Sequence, residues 1–126
     1  MSKARYLAVA AVLASLAPET GQAQPVPSDL NRACGARAVF RKADLPAAAR
    51  AVLPSPLADP NQPFQSGDVV LPGRALPFRR LICGEPTRAG YTVRMERGGR
   101  GGGIEILFLR RQRHGRFALE GPARRR

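Results

Sequence analysis

The pattern that most restricts how this chain can fold lies in residues 91–119. There Tyr91, Val93 and Met95 alternate with Thr92, Arg94 and Glu96, and after a glycine-rich gap comes the run Ile104-Glu105-Ile106-Leu107-Phe108-Leu109. Alternation with period two is the mark of a strand with one buried and one wet face. The second run is β-branched, aromatic and apolar on both faces except at Glu105, so it is expected to lie centrally in a sheet with its second face partly covered. If Tyr91, Val93 and Met95 share a face with Ile104, Ile106 and Phe108, one register sets Met95 opposite Ile104 and Arg94 opposite Glu105, and a slip of two residues opposes Glu96 to Glu105. Cross-strand charge favours the first by a few tenths to about 1 kcal/mol. Arg113-His114-Gly115 reads as a turn, after which Phe117 and Leu119 are expected to point inward from a third strand. Gly121-Pro122 ends the ladder, and residues 122–126 form a basic tail.

The gap between the first two strands, Arg97-Gly98-Gly99-Arg100-Gly101-Gly102-Gly103, admits three readings. A phosphate cradle would open a helix and carry further motif residues, whereas this loop opens a strand. The letters resemble an Arg-Gly-Gly box of RNA-binding proteins, but those boxes come as repeats in disordered tails. The third reading is a hairpin loop whose glycines supply positive φ.

Residues 1–23 have the three parts of a secretory leader: Lys3 and Arg5, an apolar run over residues 6–17, and Gly21-Gln22-Ala23 as a small-x-small cleavage site. The run is too short to cross a membrane, which needs about 20 residues. Release into the periplasm or beyond is therefore expected, leaving about a hundred residues and one small domain. A core of that size gains from a staple, and Cys34 and Cys83 are the only cysteines in a compartment predicted to be oxidising. A disulfide between them is the expected arrangement. A metal pair would fall short of four ligands, and a reactive thiol would lack a C-x-x-C or similar setting.

Residues 24–33 read as a flexible lead-in, and residues 34–121 as the domain. Residues 36–40 suggest a short strand or extended segment. Asp44 is placed as a helix N-cap, with Leu45, Ala48, Ala49, Val52 and Leu53 forming the apolar stripe of a helix of about nine residues ended by Pro54. Residues 54–67 form a proline-rich loop in which Phe64 is available to pin the loop to the core. Residues 68–71, a Pro72-Gly73 turn and residues 75–83 suggest a further hairpin. The expected architecture is α+β: one short helix packed on a four- to five-stranded antiparallel meander, disulfide-stapled. Its plan is similar to that of cystatin-like α+β rolls, which by analogy implies a cone-shaped sheet able to enclose a small ligand, with an enzymatic use among the possibilities.

Removing the leader takes away Lys3, Arg5 and Glu19, so the net charge falls from +12 to +11. Such a field attracts polyanions. Candidate anion-binding residues are Arg97, Arg100, Arg110, Arg111, Arg113, Arg116, Arg124, Arg125 and Arg126, and the expected partner is an acidic protein or an anionic envelope lipid or glycan. The competing explanation is compositional: arginine almost displaces lysine in a chain rich in Ala, Gly and Pro, as GC-rich codon usage produces. Nucleic acid is not the expected ligand, because Tyr91, Phe108 and Phe117 are assigned to the core and tryptophan is absent. No catalytic, cofactor or metal constellation emerges. His114 sits in a turn beside arginines, the serines lack a nucleophile-elbow context, and the carboxylates are scattered. The chain thus reads as a non-enzymatic binding protein, with a small-ligand pocket protein or a module pairing through a strand edge as the rivals.

Overall fold

The computed structural model describes residues 25–68, 73 and 75–121. The expected leader, the tail and most of the 68–74 hairpin lie outside the described residues. Four strands, β1 (Arg79–Pro86), β2 (Gly90–Arg97), β3 (Gly103–Arg111) and β4 (Phe117–Glu120), form an antiparallel sheet in the order β1-β2-β3-β4. The sheet is the expected meander. Two short helices precede it, α1 (Ser28–Arg32) and α2 (Ala47–Arg50), so the domain is α+β. Among the described residues the sheet has four strands, and a fifth is not shown.

The register differs from both expected alignments. Met95 faces Glu105, Arg94 faces Ile106 and Glu96 faces Ile104. Because side chains alternate, this one-residue offset turns every β3 side chain to the other face. The core therefore takes Leu107 and Leu109, and Ile104 and Phe108 stand on the opposite face at 44% and 39% exposure. Phe117 is buried as expected, but Leu119, near the free end of β4, is 46% exposed.

The core lies between one face of the sheet and the segment around α2. Leu45, Ala49, Leu53 and Leu57 meet Leu81, Val93, Met95, Leu107, Leu109 and Phe117. The helix is shorter than its apolar stripe. Pro46 holds Leu45 extended (φ −83°, ψ 148°), as steric clash with a following proline ring dictates, so Asp44 is not an N-cap and pairs instead with Arg41 at 3.2 Å. Beyond Arg50 the chain tightens into three-residue turns, Val52 N–H to Ala49 O and Leu53 N–H to Arg50 O, before Pro54. Leu45 still reaches the sheet because residue 84 is glycine: a Cβ there would stand 2.9 Å from Leu45 Cδ2.

Strand β1 is covered along its outer edge. Val39 exchanges two hydrogen bonds with Gly84, each 2.8 Å, and Ala58 bridges in parallel, donating to Arg79 O at 2.9 Å and accepting from Leu81 N at 2.8 Å. The expected short strand at 36–40 is thus reduced to one bridge. A bulge between Leu81 and Cys83 inserts Ile82, so Leu81 faces Met95 whereas Cys83 faces Arg94. The bulge sends Cys83 to the face away from α2, where it forms the expected disulfide with Cys34 (S–S 2.08 Å, Cα–Cα 6.4 Å) and ties the α1 segment to the sheet. A structural disulfide fits an extracellular or periplasmic protein. No helix among the described residues is long and apolar enough to cross a membrane.

Candidate functional site

In an up-and-down meander the first and third connections fall at the same end. Here the β1–β2 connection carries Arg88, and it lies against the end of β3: Gly90 is opposite Arg110, and Arg111 N–H donates to Ala89 O at 2.6 Å. Arg110 and Arg111 close β3, and Arg113 and Arg116 flank the turn into β4, which needs positive φ at His114 (62°) and Gly115 (70°). All five arginines are exposed. The acidic group paired with this cluster is Glu120, 3.3 Å from Arg110 Nη1. The Arg111 guanidinium lies over the Phe117 ring at 5.7 Å, at the edge of the core.

Arg97 and Arg100 sit at the other end, roughly 23 Å away by strand length. Arg97 is already committed: its Nη1 is 3.2 Å from Glu105 Oε1, its Nη2 donates to Gly101 O at 3.1 Å, and Glu105 also meets Arg79 Nε at 3.3 Å. Arg100 is exposed in the loop. Arg124, Arg125 and Arg126 lie outside the described residues. The candidate arginines thus divide between two ends, Arg110, Arg111, Arg113 and Arg116 at one and Arg97 and Arg100 at the other, and Arg88 was not among them. The signal available for Arg88 was the parity of meander connections.

The glycine loop has little left to offer an anion. Gly98 N–H donates to Phe78 O at 2.8 Å, Gly99 N–H to Ser66 O at 3.2 Å and Gly102 N–H to Gly99 O at 3.0 Å. Its glycines have a packing reason: a Cβ on Gly98 would lie 1.8 Å from Gln65 O, and Gly99 and Gly101 take φ of 79° and 75°. The loop is a clamp on residues 65–66 and 78, and the cradle reading fails on its geometry.

Cys34, Cys83 and Glu85 approach one another closely, but both sulfurs are spent in the disulfide, and Glu85 Oε1 accepts from Gly35 N–H at 2.5 Å. No thiolate remains to hold a metal there, so the metal-pair and reactive-thiol alternatives give way to the disulfide. Glu96 and Glu105 point to opposite faces rather than forming a carboxylate pair, Glu96 toward Arg80 and Glu105 toward Arg79 and Arg97. His114 is exposed.

Between α2 and the sheet the described residues pack as an aliphatic core. A groove of 560 Å³ lies elsewhere, against the N-terminal segment, between Val26, Val39, Phe40 and Pro60, with Arg41 and Asp44 at its polar side. Phe64 is not a core aromatic. Its ring carries the Arg80 guanidinium at 4.4 Å, on the sheet face away from α2, while Phe78 stands 46% exposed. No family model matches the chain, and no curated protein or solved structure matches it.

Proposed function

We propose that this is an exported, non-enzymatic protein that binds an anionic component of the cell envelope, lipid or glycan, through the end of the sheet formed by Arg88, Arg110, Arg111, Arg113 and Arg116. In this reading residues 1–23 direct export and are removed after Ala23, and Arg124, Arg125 and Arg126 add to the attraction. The observation that carries it is the charge imbalance at that end: five exposed arginines with Glu120 as their paired acid, whereas at the opposite end Arg79, Arg80 and Arg97 are paired with Glu96 and Glu105 and Arg100 is exposed in the loop. Codon usage explains why the cations are arginines rather than lysines; it gives no reason for the imbalance between the two ends.

A cation near an anionic bilayer contributes about 1 kcal/mol. Co-sedimentation of the mature protein with phosphatidylglycerol vesicles should therefore fall steeply with added salt. Arg113→Gln with Arg116→Gln should weaken it by roughly 30-fold. Deleting residues 124–126 is expected to weaken it further. Binding indifferent to salt and to the paired substitution would end the proposal. Retention on an acidic protein from envelope extract, with no affinity for vesicles, would replace the envelope surface with a protein partner.

A further inference from the structure

The sheet face away from α2 combines two features that no structural role absorbs. One is an uncovered apolar strip: Ile104, Ile106 and Phe108 occupy alternate positions of β3 and so share that face, with Ile104 and Phe108 at 44% and 39% exposure. They span roughly 13 Å. The other is Arg94, directly opposite Ile106 on β2 and half-buried, whose Nε is enclosed and has no hydrogen-bond acceptor. Its neighbours along the face are already occupied or neutral: Glu96 is 2.6 Å from Arg80 Nη2, and Thr92 carries no charge. A guanidinium taken partly out of water without a carboxylate is costly, and an anion arriving at its accessible side recovers that cost by charge-assisted hydrogen bonds.

We infer that this face is a binding site for a phosphate-bearing lipid, with Arg94 receiving the phosphate and the acyl chain lying along Ile104, Ile106 and Phe108. Charge selects the occupant. An apolar peptide would leave Arg94 as it is, and inorganic phosphate would leave the strip wet, whereas an anionic amphiphile satisfies both at once. The inference rests on the envelope-binding reading for its source of lipid and names that lipid's chemistry. It uses different residues from the arginine end, so the two fail separately.

The test uses the mature protein and dodecyl phosphate below its micelle concentration, with dodecyl maltoside and inorganic phosphate as comparisons, read by calorimetry and thermal melting. Dodecyl phosphate should bind and raise the melting temperature while the two comparison compounds do not. Arg94→Met, which keeps the aliphatic stem, should weaken binding by about tenfold or more, the loss expected for a hydrogen-bonded charge. It should also raise the melting temperature without ligand, because an unsatisfied buried donor disappears; a purely structural arginine would give a fall. Phe108→Ser, at an exposed position, should weaken dodecyl phosphate and leave the fold intact. Arg113→Gln with Arg116→Gln should leave this binding unchanged even where it abolishes vesicle binding. Undiminished affinity in Arg94→Met or in Phe108→Ser, equal binding of dodecyl maltoside, or equal binding of inorganic phosphate would each overturn the inference.

Discussion

Replacing Glu96 with alanine tests the least expected feature of the interior, the arginine at residue 80. Arg80 is 1% exposed, with Nη2 2.6 Å from Glu96 Oε2 and its guanidinium carbon 4.4 Å over the Phe64 ring. Removing one partner of a buried ion pair costs about 3–5 kcal/mol, because the remaining charge stays desolvated. The Glu96 side chain keeps 25% of its surface, so water can enter beside Arg80 after the substitution, and the ring contact persists. These two effects bring the cost to or below the bottom of that range, about 2–3 kcal/mol. For a domain of this size that lowers the melting temperature by roughly 10–20 °C. The exposed pair Arg41–Asp44, at 71% and 41%, provides the internal comparison: Asp44→Ala should cost no more than about 1 kcal/mol. Guanidinium chloride unfolding followed by far-UV circular dichroism, with the disulfide intact, measures both. The double variant Arg80→Met with Glu96→Leu, which removes both charges, should recover most of the loss. The reasoning is refuted if Glu96→Ala and Asp44→Ala cost the same, or if the double variant is worse than Glu96→Ala.

Two further stability predictions follow from burial and connectivity. The Cys34–Cys83 bridge joins residues 49 apart, which in the chain-entropy account stabilises by about 4 kcal/mol; melts of Cys34→Ser with Cys83→Ser against the oxidised parent check it, and a difference under about 1 kcal/mol would discount the staple. Leu109→Ala should cost about 2–5 kcal/mol, since Leu109 is 2% exposed, whereas Ile104→Ala at 44% exposure should cost well under half as much; denaturation giving the reverse order would contradict the observed register.

The meander was legible because Tyr91 to Glu96 alternate cleanly and because glycine and proline bracket the later runs. The staple was legible by counting, since two cysteines allow one bridge. The register was not, and the reason lies in β3 itself. A strand apolar at Ile104, Ile106 and Phe108 and also at Leu107 and Leu109 contains no period-two information about which set faces inward, and a run of glycines sets no turn type that would decide it. Charge logic was sound in kind but used the wrong geometry: Met95, not Arg94, stands opposite Glu105, which is neutralised by Arg97 diagonally and by Arg79 one strand further away. The helix came out short because two prolines eight residues apart restrict the residues before them, a local constraint that the apolar stripe concealed. Arg80 could not be read as buried, because its partners Glu96 and Phe64 meet it only across the folded sheet. The gathering of Arg110, Arg111, Arg113 and Arg116 at one end of the meander was legible from their spacing, whereas adding Arg88 needed the parity of the strand connections.

The extra residue in β1 lets one strand serve two layers of the molecule. Upstream of Ile82 the odd-numbered side chain at Leu81 feeds the aliphatic interior, and just downstream the odd-numbered Cys83 reaches the other side, where the N-terminal arm is anchored. Were Ile82 instead paired with Arg94 in unbroken alternation, Cys83 would face Val93 and aim its sulfur at the Leu45 side, out of reach of its mate. The bridge therefore depends on residue 82 being held out of the ladder rather than paired in it, so the irregularity between Leu81 and Cys83 is tied to cross-linking.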